Sequence, residues 1–134
     1  MKKPFKFLIL ASILFVFSTS VPAQKPIRIN FPKDETAINV WGYLGSYKDR
    51  KVFVLRVRRG QSLRIEQVET GNSPRYITVS VKSPTGEDVS DWNASCNSRK
   101  LIEQTRAGDY RITVFQCQKA PTWRGRFAFR ITVK

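Results

Sequence analysis

The chain has 134 residues, with 24 lysines and arginines against 10 aspartates and glutamates, for a formal net charge of +14. It contains no histidine and only two cysteines. These counts exclude histidine-based acid–base chemistry and a zinc cage, so neither an enzyme nor a metal or cofactor site is expected.

Residues 1–23 read as a secretory signal. Lys2 and Lys3 form a basic start, Phe7 to Phe17 is apolar apart from Ser12, and Val21-Pro22-Ala23 suits cleavage before Gln24. The apolar run is too short for a membrane anchor, which needs about 20 residues. Residues 24–134 then form one domain of about +11, exported to the periplasm or beyond, with no transmembrane segment in the mature chain. Such a charge attracts anionic partners: lipopolysaccharide, peptidoglycan carboxylates, other envelope polymers or acidic proteins. Export makes nucleic acid a poor candidate.

The mature chain predicts short strands and no long helix. Ile27–Phe31 is the first and Ala37–Leu44 the second, with Ile38, Val40 and Leu44 on one face. Lys51–Arg58 alternates Phe53, Leu55 and Val57 against Arg56 and Arg58. The turn at Gly60 opens into Ser62–Val68, and Tyr76–Lys82 puts Ile77, Val79 and Val81 on one face. Leu101–Thr105 is a sixth strand. The turn at Gly108 opens into Tyr110–Cys117, and Gly125–Val133 closes the chain. One apolar face per strand predicts an all-β fold: a two-sheet antiparallel β-sandwich, jelly-roll-like, of about eight strands. The other faces carry Arg56, Arg58, Arg64, Arg111, Arg126 and Arg130.

In an oxidising compartment Cys96 and Cys117 are expected to pair. That bond would tie the 91–100 loop to the 118–125 loop. Trp92 and Trp123 could then share a surface with Lys119 and Arg124, as anchors for a protein or a sugar face, or either indole could cap the core. Glu87, Asp88 and Asp91 offer oxygen ligands for calcium, but they lack an EF-hand-like glycine pivot and read as a soluble loop.

Four stretches carry a resemblance: Ile29-Asn30-Phe31-Pro32-Lys33, Gly42-Tyr43-Leu44-Gly45-Ser46-Tyr47, Arg59-Gly60-Gln61-Ser62-Leu63, and Ala107-Gly108-Asp109-Tyr110-Arg111-Ile112-Thr113-Val114. Over nearly the whole mature chain they resemble the exported bacterial inhibitors of goose-type lysozyme. They also resemble the wider bacterial pre-peptidase C-terminal β-sandwich. The resemblance implies a non-enzymatic protein whose end loops plug a lysozyme-like enzyme's cleft. It implies a binding role for Tyr47. Gln118 and Thr122 fall where that family carries two arginines, with Lys119, Arg124 and Arg126 nearby as substitutes. The charge and the tryptophans suit an alternative, a module binding envelope glycan or another anionic polymer.

Overall fold

Every connection in this fold carries the chain from one sheet to the other. A computed structural model describes residues 24–71, 75–89 and 96–134; residues 1–23, expected to be a secretory signal, and Asp91 to Ser95, including Trp92, lie outside them. The strands are β1 (Ile27–Ile29), β2 (Ala37–Leu44), β3 (Arg50–Val57), β4 (Leu63–Val68), β5 (Ile77–Lys82), β6 (Arg99–Ile102), β7 (Gly108–Gln116) and β8 (Gly125–Val133). One sheet has the order β1-β3-β7-β5 and the other β2-β8-β4-β6. The odd-numbered strands thus make one layer and the even-numbered strands the other.

The pleat explains which residues meet between the layers. Phe53, Leu55, Ile77, Val79, Val81, Ile112 and Val114 of the odd sheet face Leu44, Leu63, Ile65, Phe127, Phe129 and Ile131 of the even sheet. Each such side chain stabilises the fold by about 1.5–3 kcal/mol relative to exposure. Phe53 meets the rings of Phe127 and Phe129 edge-on, at centroid distances of 6.4 and 5.2 Å. Gly42 lies opposite Phe127 in the β2–β8 register. A Cβ there would come within 2.3 Å of the ring, so glycine is what lets the phenyl group pass beneath the strand.

The sandwich and its eight strands agree with the sequence reading; the seventh strand begins two residues earlier than expected, at Gly108, and larger differences fall on the first and sixth. The first strand ends at Ile29 and runs parallel to β3, not antiparallel. The sixth strand begins at Arg99 and ends at Ile102. Thr105 is therefore free to turn inward: its hydroxyl donates to the Arg58 carbonyl at 2.6 Å and accepts from the Gln61 amide at 3.1 Å. It thereby fixes the turn at Gly60, whose φ is +78°.

Candidate functional site

The register brings three loops to one end of the sandwich. Leu44 pairs with Gly125, Arg50 with Phe115, and Ile77 with Gln116. The connections that leave Leu44, Val68 and Gln116 consequently start side by side. Cys96 joins them through its disulfide to Cys117, with the Cα atoms 4.5 Å apart. The opposite end carries the 30–36, 58–62, 83–88 and 103–107 connections.

Each loop at the first end is fastened by a polar side chain acting on backbone. In the β2–β3 loop, the Asp49 carboxylate accepts from the Gly45 amide at 2.6 Å, the Ser46 amide at 3.2 Å and the Ser46 hydroxyl at 3.1 Å. These bonds, the Gly45 one foremost, hold the Asp49 carboxyl below the ordinary carboxylate range. Tyr47 sits at the tip of this loop and is 42% exposed.

Two glutamines do the same for the other loops. Gln116 is only 1% exposed and occupies an inward position of β7. Its Oε1 accepts from the Trp123 amide at 3.1 Å, and its Nε2 donates to the Trp123 carbonyl. A side-chain amide thus supplies both halves of a ladder pair where the strand has ended. Gln67 brackets the β4–β5 loop likewise, with Nε2 donating to the Arg75 carbonyl and Oε1 accepting from the Ile77 amide at 3.3 Å.

Held in this way, the Trp123 indole turns back and packs against the core, half-buried, with Nε1 donating to the Tyr76 carbonyl at 3.3 Å. The Arg75 guanidinium covers it at 5.9 Å from the ring and donates to the Arg126 carbonyl at 2.9 Å. On the other side, Arg50 lies 4.3 Å from the centre of the Phe115 ring. Around these anchors Lys119, Arg124, Gln118 and Thr122 are exposed on the β7–β8 loop. The structure thus brings Tyr47, Gln118, Lys119, Thr122, Trp123 and Arg124 to one end.

Sequence reasoning did not single out Asp49, Gln67, Arg75 or Gln116. A signal existed for Gln116, a polar residue in register with the inward positions Tyr110, Ile112 and Val114. It also passed over Trp41 and Tyr43, which are 56% and 52% exposed on the outer face of β2. Ala128, opposite Trp41 and also outward by parity, is wholly buried.

The chemistry available at this end is recognition by cations and aromatic groups. Among the described residues no group of three or more histidine, cysteine, aspartate or glutamate side chains is placed to hold a metal ion. Glu87 instead lies 3.9 Å from Arg106.

No protein-family profile matches the chain, and no curated protein matches it in sequence. Solved structures do match its fold. PliG of Aeromonas hydrophila, a periplasmic lysozyme inhibitor of g-type lysozyme, has a TM-score of 0.61 at 12% identity, over 81% of this chain and 96% of that one. PliG of Salmonella Typhimurium, likewise a periplasmic inhibitor of g-type lysozyme, has a TM-score of 0.57 at 16% identity, over 84% of this chain and all 100% of its own. A mutant of the Escherichia coli PliG has a TM-score of 0.56 at 17% identity, with the same coverages of 84% and 100%. The fold of this chain is the β-sandwich of the periplasmic inhibitors of g-type lysozyme.

Proposed function

We propose that the protein is a periplasmic, non-enzymatic inhibitor of a g-type lysozyme that occludes the enzyme's cleft with the loop end of the sandwich. The observation that carries this reading is the extent of the likeness: the fold spans 96–100% of three chains that inhibit g-type lysozyme. The loop end has the character an inhibitor needs. Among the described residues, Asp49, Gln67 and Gln116 fasten backbone at this end, which lowers the ordering entropy lost there on binding. Tyr47, Lys119 and Arg124 project from it, and tyrosine and arginine are the side chains that most often anchor interfaces. Arg75 and Arg50, drawn from other elements, set guanidinium groups beside the loop whose positions 118 and 122 hold glutamine and threonine.

Titrating g-type lysozyme activity with the purified protein tests the proposal, with chicken- and invertebrate-type lysozymes run alongside. Inhibition confined to the g-type enzyme and weakened by Tyr47→Ala is expected. No inhibition at a large molar excess would end the idea.

Binding of an anionic envelope glycan is a second reading, favoured by one surface. Trp41 and Tyr43 project from the outer face of β2, and Arg130 and Arg126 project from β8 alongside them. Flat aromatic faces stack on sugar rings, and guanidinium groups pair with carboxylates. Pull-downs on peptidoglycan and lipopolysaccharide at low and high salt test it. Retention by Trp41→Ala equal to that of the parent protein would remove this face from consideration.

A further inference from the structure

The outer face of the odd-numbered sheet holds a cleft of about 610 Å³, lined by Lys25, Arg28, Val54, Lys82, Pro84 and Arg111 among others. It lies on the other layer from Trp41 and toward the end opposite Tyr47. Its floor is one row of the sheet: Arg28 pairs with Val54, Val54 with Arg111, and Arg111 with Lys82. Three of the four side chains in that row are cations.

Arg28 is the one whose charge is met. Its guanidinium grips Asp109 with both nitrogens, at 3.1 and 2.8 Å, and holds that carboxyl below the usual carboxylate range. Arg111 and Lys82 are placed differently. They stand directly opposite each other on β7 and β5, with Cβ atoms about 5 Å apart, an arrangement in which like charges destabilise a sheet. Neither forms an ion pair with a described residue. Asp88 lies across an isolated bridge from Lys82 but outside the cleft lining. Lys25 adds a further cation at the rim.

The walls are closely packed. Gly108, with φ +132°, lets the Pro84 ring approach so closely that a Cβ would come within 2.8 Å of it. The turn at Ser83 is closed by the Gly86 amide donating to the Ser83 carbonyl at 2.9 Å. The concavity is thus lined by two opposed cations, Arg111 and Lys82, and a third, Lys25, with Asp109, also in the lining, held by Arg28.

We infer that this cleft binds a phosphate group, with Arg111 and Lys82 as its principal ligands and Lys25 closing over it. The chemistry favours phosphate over a carboxylate. Asp109 shows that one guanidinium satisfies a carboxylate here, whereas a phosphate carries nearly two charges and three acceptor oxygens. Such a group would relieve the repulsion between Arg111 and Lys82 and take donors from both strands. The site is independent of the inhibitor reading.

The test uses the whole mature protein and inorganic phosphate, followed by amide NMR at constant ionic strength set with sodium chloride. Saturable shifts at Lys82, Ser83, Gly86 and Arg111 are expected. Arg111→Gln should bind about tenfold more weakly, the loss of one charge-assisted hydrogen bond. Arg64→Gln, the same charge change on the other sheet, should bind as the parent does. Shifts no larger than those in chloride alone, or equal losses in the two variants, would overturn the assignment. A second arm distinguishes the source, using vesicles of four parts phosphatidylcholine to one part phosphatidic acid. Sedimentation that depends on Arg111 identifies a lipid headgroup. Phosphate binding without it identifies a free or sugar-borne phosphate. Lysozyme inhibition by Arg111→Gln, measured in parallel, should be unchanged, so failure of the cleft and failure of the inhibitor reading are seen separately.

Discussion

Replacing Gln116 by leucine isolates the device that fixes the β7–β8 loop. The side chain is 1% exposed, so an apolar residue of similar size fits the space without a large cavity. What is lost is the bracket on Trp123, one bond accepted from its amide and one donated to its carbonyl. Each of the two Trp123 backbone groups left buried and unpaired costs about 1–3 kcal/mol. Trp123 is half-buried, so the lower half of that range applies to each, about 2–4 kcal/mol for the two. For a domain of this size that lowers Tm by on the order of 10 °C or more. Gln116→Glu is the informative companion. It keeps the acceptor and the shape but sets a buried carboxylate against the Trp123 carbonyl, so it should be the more damaging change at neutral pH and recover as the pH falls. Thermal and urea unfolding read the stability, tryptophan fluorescence reads the indole, and the lysozyme titration reads the loop. If Gln116→Leu leaves Tm within about 2 °C of the parent, well short of the 4–8 °C that 1 kcal/mol moves a small domain, the bracket does not fix the loop.

Three further outcomes follow from the same contacts. Gly42→Ala should destabilise by about 1–3 kcal/mol in urea unfolding, because the new Cβ would sit 2.3 Å from the Phe127 ring, which Phe53 and Phe129 hold in place; an unchanged midpoint would show that the ring can move aside. Asp49→Ala should loosen the Tyr47 loop and weaken lysozyme inhibition while leaving global unfolding nearly unchanged, as hydrogen exchange at Gly45 and Ser46 would report. Because the folded-state pKa of Asp49 is depressed, its contribution is complete above the unfolded carboxyl pKa and is lost as pH falls through the lower folded value. The protection of the Gly45 amide, taken relative to its intrinsic exchange rate at each pH, should therefore fall on acidification in the parent and stay constant in Asp49→Ala. Reducing the Cys96–Cys117 bond, which closes a loop of sequence separation 21, should cost about 3 kcal/mol and free both connected loops, as calorimetry with and without reductant would show.

How far the sequence reached varied with how local each feature is. Strand β8 has the expected limits, Gly125 to Val133, since its apolar period runs unbroken for nine residues. Strand β6 shifted toward its N-terminus because four residues of mixed character carry little period, and pairing with Leu63 to Glu66 sets its limits. The clustering of Tyr47 with Lys119 and Arg124 came from resemblance, and the register supplies its geometry. Arg75 was invisible because it acts on Trp123, 48 positions away in the chain.

The sequence by itself determined which face of each strand is apolar, where glycine at positions 60 and 108 must turn the chain, and that its two cysteines would pair in an oxidising compartment. Each of these is set by the pleat, by φ or by redox chemistry, and needs little more than neighbouring residues to read. Only the tertiary structure decided that consecutive strands never pair, that β1 lies parallel to β3, and that two glutamines stand in for missing ladder bonds. Every connection crosses between the layers, so each partner is distant in the chain. A backbone group left over at a strand's end takes whatever donor or acceptor the opposing loop brings to it.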